Sequence, residues 1–138
     1  MLAYTIYSEA GGVGKSTLAA SLATAHADQG RDVLAIDLDP QQGSLTYLLG
    51  VDAPRADGNA DNIARHIIGQ PKESFNKLIN TTDYGFDLIP NHDMLENLPN
   101  LLTRAEELSE DLGEHFDPTD RLRQVLIDAG VPSTYDTI

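Results

Sequence analysis

The chain is 138 residues and 15.0 kDa, which allows one domain with a hydrophobic core and no more. Apolar residues make up 41% of it, so disorder is excluded as the default, and no apolar run is long enough to span a membrane. Cysteine is absent, which excludes disulfides and thiolate metal sites within these residues.

Twenty-two acidic residues face nine basic ones, a net charge of -13. Such a surface repels nucleic acid and anionic lipid at ordinary salt. Aspartate outnumbers glutamate fifteen to seven, and lysine occurs only at Lys15, Lys72 and Lys77. Low lysine with high aspartate points to adaptation to molar salt, where the screening length falls to about 3 Å. An ordinary acidic protein is the plainer alternative. The N-terminus lacks the basic start of a signal peptide, and the expected location is the cytoplasm.

Residues 2–7 and 33–36 are short apolar runs with β-branched and aromatic members, the pattern of strands buried on both faces of a parallel sheet. Lys15 to Gln29 between them reads as a helix, with Leu18, Leu22, Ala25 and Gln29 on one stripe and Gly30 just past its end. Strand, glycine-rich turn, helix and strand together make a βαβ unit. A short helix is expected over 43–49, closed by Gly50, and then a polar surface loop from Asp52 to Asn62. Two short helical pieces are expected near 62–68 and 72–80, and a strand at 86–89, stopped by Pro90.

Residues 93–112 carry the strongest helical pattern. Met94, Leu98, Leu101, Ala105, Leu108 and Leu112 repeat in steps of four and three. A helix lying on the sheet is the simpler reading, and a partner-binding helix the sharper one. Pro99 is expected to kink or divide it. Asp117-Pro118-Thr119-Asp120 then opens another helix, with Asp117 as cap and Pro118 in the first turn. Leu122, Val125, Leu126 and Ala129 form its buried face, and Gly130 ends it. Residues 135–138 begin what reads as a strand.

The chemistry concentrates at Glu9-Ala10-Gly11-Gly12-Val13-Gly14-Lys15-Ser16-Thr17. Glycines at 11, 12 and 14 let the backbone turn tightly and bring N–H groups against phosphate oxygens. The helix that follows offers its own N-terminal N–H groups and about half a positive charge to the same anion. Lys15 supplies a full charge for the β- and γ-phosphates, and the Ser16 hydroxyl is placed for Mg²⁺. Thr17 can reach a phosphate nearer the sugar. A strict phosphate loop has glycine where this chain has Glu9.

A second constellation, Asp37-Leu38-Asp39-Pro40-Gln41, follows the second strand. Its two carboxylates alternate to one side of an extended backbone, at the carboxyl end of a strand, where ligands bind in open α/β sheets. One of them is suited to hold Mg²⁺ through Ser16 or a water, and the other to orient an attacking water. The four histidines show no metal-ligand spacing.

Together these two segments resemble the ParA/MinD family of deviant-P-loop ATPases, and the likeness continues into Gly43-Ser44-Leu45-Thr46 and Asp87-Leu88-Ile89-Pro90. The resemblance implies an α/β fold of the P-loop NTPase type, with a mainly parallel sheet flanked by helices. It implies ATP and Mg²⁺ as ligands. Lys15 and Asp39 would be catalytic, with Asp39 positioning the hydrolytic water. Gly11, Gly12, Val13, Gly14, Lys15, Ser16 and Thr17 would hold the nucleotide, and Ser16, Asp37 and Asp39 would serve the metal.

Members of the family dimerise around ATP and separate after hydrolysis. An ATP-dependent homodimer and a cargo or partner protein are therefore expected, in DNA partition or protein positioning. The family's signature lysine falls at Ala10, which cannot stabilise charge on a transferring phosphate. A nucleotide-binding adaptor without efficient hydrolysis is the alternative. By the same resemblance, residues 1–138 are expected to be the N-terminal part of a single domain, its sheet incomplete at the C-terminus.

Overall fold

A computed structural model describes residues 1–12 and 14–138. Its centre is a small sheet whose strands are β1 (Leu34–Ile36), β2 (Asn80–Thr81) and β3 (Asp87–Ile89), in the order β1-β3-β2. β1 and β3 are parallel, with Ala35 opposite Leu88, and β2 runs antiparallel along the far edge of β3. On the other side of β1 the ladder continues through bridges. Thr137 pairs in parallel with both Val33 and Leu2. Residues 136–138 thus lie between β1 and the start of the chain, and the sheet is mixed but mainly parallel.

Strand residues alternate between two cores, as the two-residue period of a strand requires. Val33 and Ala35, with Phe86, face helix α1 (Lys15–Asp28) through its Ala23 and Ala27. Leu34, Ile36 and Ile89 face the opposite layer. That layer holds α3 (Ile63–Ile67), Phe75, Leu78 and Leu95, with the inner faces of α5 (Arg121–Asp128) and Val131 of α6 (Val131–Thr134). Helices therefore cover both faces. Asn62 caps α3, its side chain accepting from the Arg65 N–H at 3.2 Å, which fixes that helix start where the sequence placed it.

Several expectations are corrected. Residues 2–7 do not form a strand buried on both faces: Leu2 makes an isolated bridge, the Tyr4 N–H reaches the Ile138 carbonyl at 3.2 Å, and Tyr7 is exposed. A strand exists only as far as it has a neighbour, and this pairing runs out beyond Tyr4. The run from 135 to 138 is likewise reduced to the bridge at Thr137.

In α1 the sheet-facing residues are Ala23 and Ala27, and Leu18, expected on the buried stripe, is exposed. Residues 72–80 contain a 3₁₀ turn (Phe75–Leu78) and then β2. Residues 43–49 shorten to α2 (Leu45–Leu48).

Pro99 divides the 93–112 helix, as its missing N–H predicts. A 3₁₀ segment, Asp93–Asn97, precedes α4 (Leu98–Asp111), which carries proline in its first turn. Three residues per turn in the first piece shift the phase of the second. Met94, Leu98 and Leu102 consequently pack on the core, while Leu108 and Leu112 at the far end are exposed. Asp117 does not cap α5. Its carboxylate accepts from the Thr119 N–H and hydroxyl in a turn, and α5 starts after Asp120.

Candidate functional site

The glycine loop is shaped by Ser8 and by two left-handed glycines. The Ser8 hydroxyl accepts from the Ala10 N–H at 3.1 Å and lies 3.2 Å from the Ala10 carbonyl. Gly12 and Gly14 have φ of 71° and 86°, a region that side chains avoid. A Cβ at Gly11 would meet nothing within 4 Å and its φ is not in that region. Among the described residues nothing crowds that position, so the backbone at Gly11 is open to approach from outside. Gly14 is the residue that precedes α1, and no side chain caps the helix start. That leaves a helix N-terminus open to an anion. Val13 lies outside the described residues.

Lys15, the first residue of α1, reaches back across the loop mouth. Its Nζ lies 3.1 Å from Asp39 Oδ2, and both side chains are a little over a quarter exposed. Ser16 is half-buried and Thr17 exposed at the same helix end. The structure thus brings Lys15 and Asp39 together, although residues 136–138 lie between β1 and the start of the chain. The other Asp39 oxygen accepts from the Gln41 N–H at 3.0 Å.

Asp37 is a different object. It is buried, and its Oδ2 accepts from the Ser44 hydroxyl at 2.7 Å, the Thr46 N–H at 2.8 Å and the Thr46 hydroxyl at 2.6 Å. Its Oδ1 accepts from the Asp39 N–H at 3.1 Å. A buried carboxylate so fully matched with donors is an anchor for the backbone around it. The ladder bond from the Asp37 N–H to the Ile89 carbonyl, 3.0 Å, ties the anchor to β3.

Residues 4–132 match the family of CobQ/CobB/MinD/ParA nucleotide-binding domains. The chain belongs to that family. The chromosome-partitioning ATPase Soj of Thermus thermophilus is 43% identical over 81 residues, covering 58% of this chain and 28% of Soj. Among solved structures, cobyrinic acid a,c-diamide synthase from Mycobacterium smegmatis with bound ATP analog and magnesium superposes with a TM-score of 0.75. It is 29% identical, over 99% of this chain and 48% of the synthase. A plasmid partition protein from Borrelia burgdorferi gives a TM-score of 0.71 at 29% identity, over 99% of this chain and 54% of that protein. The chain spans between 28% and 40% of the length of the curated relatives it matches. The likeness to the ParA/MinD family and the P-loop fold read from the sequence both hold.

Sequence reading missed four contributors: Ser44 and Thr46, which surround Asp37, and Asn91 and Arg55, which hold the turn after it. Asn91 Nδ2 donates to the Asp39 carbonyl at 2.5 Å and to Ser44 Oγ at 2.8 Å. Arg55 donates through its guanidinium to the Pro40 carbonyl. The available signal was position: Asn91 follows the carboxyl end of β3, at the same edge of the sheet as Asp37.

Elsewhere, Asp61 and His66 form a buried pair at 2.7 Å. Burial alone would push the Asp61 carboxyl up. The Lys72 N–H, the His66 ring and the Glu73 N–H together outweigh it and hold the carboxyl below the usual carboxylate value. Burial, reinforced by the hydrogen bond to Asp87, pushes the Tyr135 hydroxyl well above the ordinary phenol value. Both features fasten loops and strands away from the glycine loop. Among the described residues no helix is long and apolar enough to cross a membrane.

Proposed function

We propose that this chain is the nucleotide-binding part of an ATP-driven switch of the ParA/MinD type, which takes ATP with Mg²⁺ and serves DNA partition or the placement of another protein. The observation that carries the reading is the 3.1 Å contact of Lys15 Nζ with Asp39 Oδ2. It sets the cation of the glycine loop and the accessible carboxylate of the second strand end at one point.

In this reading Lys15 leaves Asp39 for the β- and γ-phosphate oxygens, and the open N–H groups of α1 receive the others. Gly11 and Gly12 let the loop backbone approach the same phosphates. Among the described residues no group of three or more acidic or imidazole side chains could hold a metal. Ser16 and Asp39 would therefore share Mg²⁺ with the nucleotide's own oxygens, the usual arrangement for this ion. Bound Mg²⁺ supplies neutralisation of charge on the phosphates. Asp37 supports the metal site by fixing its neighbour, and Asp39 orients the attacking water.

A nucleotide-binding adaptor is the second reading. Ala10, exposed and neutral, favours it, because it stands where the family's signature lysine would be. The two separate in one assay of Mg²⁺-dependent ATP binding and phosphate release, run in molar KCl. A switch binds ATP more weakly with Lys15→Ala. It keeps binding in Asp39→Asn, where the freed Lys15 offsets the lost Mg²⁺ ligand, and loses phosphate release. Binding without release in the parent chain leaves the adaptor. No binding in the parent overturns both.

A further inference from the structure

The turn Asp39-Pro40-Gln41 accounts for its backbone in an unusual way. Its two N–H groups are satisfied locally, that of Asp39 by Asp37 Oδ1 and that of Gln41 by Asp39 Oδ1. Pro40 has none. All three carbonyls, in contrast, are held by side chains from outside the turn. Asn91 Nδ2 takes the Asp39 carbonyl at 2.5 Å and lies 3.4 Å from that of Gln41. Arg55 takes the Pro40 carbonyl.

Both side chains are themselves fixed. The Asn91 N–H donates to Thr46 Oγ1 at 2.7 Å. Arg55 is paired with Asp93 at 2.5 Å, and its own carbonyl accepts from the Asp93 N–H at 3.1 Å.

Asn91 is only 3% exposed and its Oδ1 has no partner; the Nε of Arg55 is also buried and unpartnered. An apolar side chain at 91 would fill the space but leave the Asp39 carbonyl and Ser44 Oγ without this donor. Its amide orientation is forced, because a flipped amide would turn its oxygen towards two carbonyls. Two side chains directed at the carbonyls of one turn fix that turn and the carboxylate it carries.

We infer that Asn91 and Arg55 are positioning residues for Asp39. They clamp the carbonyls of its turn, so that one carboxylate oxygen stays on the Gln41 N–H and the other faces Lys15 and the reacting phosphate. The inference rests on the reading of Asp39 given above for its consequence in turnover, but not for the clamp itself.

Two readouts test it in Asn91→Leu, which keeps volume and burial, and in Arg55→Gln. The first is amide hydrogen exchange in the nucleotide-free chain. Exchange at Asp39 and Gln41 rises at least about tenfold, while that of α1 and β3 is unchanged. The second is kinetic. Phosphate release slows by about tenfold or more, as misplacement of a catalytic group predicts, with ATP affinity within about twofold of the parent.

Should Asn91→Leu fail to fold, Arg55→Gln, at a partly exposed side chain, carries both readouts. Unchanged exchange at 39 and 41 in a folded variant overturns the clamp. So does a loss of turnover that follows ATP affinity alone. If the parent releases no phosphate, the switch reading fails, and the exchange measurement still decides whether these two residues hold the turn.

Discussion

The glycine loop and the end of β1 meet at the contact between Lys15 and Asp39, yet they are built in opposite ways. Residues 9–12 are exposed, α1 begins without a side-chain cap, and among the described residues nothing lies within 4 Å of where a Cβ at Gly11 would be. Beyond β1, Asp37 is buried under four donors, and the carbonyls of the following turn are all taken. Among the described residues, one side leaves a helix start uncapped, and the other has its polar groups almost all paired. A binding element must keep donors free for its ligand. A carboxylate that aims at a reacting atom must not wander. The stability of this corner should therefore lie on the β1 side, and its affinity on the loop side.

The largest expected effect breaks the β1 side. Asp37→Ala strands the Ser44 hydroxyl, the Thr46 N–H and the Thr46 hydroxyl in a buried place, and should cost about 3 kcal/mol of folding stability. Urea denaturation measures it, and a loss under about 1 kcal/mol would mean that the donors find water or one another. Next comes Lys15→Ala, which removes a charge-assisted contact to phosphate. It should weaken ATP binding by about 2 kcal/mol, roughly thirtyfold. Its effect on stability should stay within about 0.5 kcal/mol, since the pair with Asp39 is partly solvated. Calorimetric titration beside a urea melt separates the two. A destabilised Lys15→Ala would put the loop in the same class as Asp37.

The contrast between the two sides was unequally legible in the sequence. The loop was readable because glycine, lysine and serine at fixed spacing between a strand and a helix have few other uses. Asp37 and Asp39 were readable as a pair with two roles, but not as one buried and one accessible carboxylate. What distinguishes them is Ser44, Thr46 and Asn91, and the last lies 52 residues from Asp39. Only the parallel register of β1 on β3 brings it there.

The same limit explains the misread first strand. An apolar run shows what a segment can bury, whereas pairing is decided by distant residues, here 136–138. Gly130 shows a local limit. It ends α5 as expected, but its left-handed turn also starts α6 at Val131, with Pro132 in the first turn. A glycine that stops one helix does not say whether another follows.

A smaller effect concerns a second buried carboxylate, far from the loop. Asp61 is held low by the Lys72 and Glu73 N–H groups and by His66. A group whose folded value is depressed contributes stability that is full above its unfolded value, about 4, and lost as pH falls through the folded one. Asp61→Asn should cost about 1 kcal/mol at pH 7 and flatten the loss of stability below about pH 4. Melting curves from pH 3 to pH 7 read this slope. ATP affinity at pH 7 should not move, because Asp61 braces α3 on the opposite side of the sheet from α1.

The smallest effect asks whether openness by itself marks a binding element. The far end of α4 is also open: Leu108 and Leu112 are 54% and 64% exposed, whereas Leu102 packs on the core. Leu108→Ala should change stability by less than about 0.5 kcal/mol, and Leu102→Ala should cost about 1 kcal/mol, in proportion to the apolar area each removes from water. Neither should alter ATP affinity. An exposed leucine lacks what the loop has, a set of backbone donors at a helix start with a lysine beside them. If Leu108→Ala did weaken nucleotide binding, exposure and affinity would be linked through something other than those donors. The distinction between the loop and the strand end would then have to be drawn elsewhere.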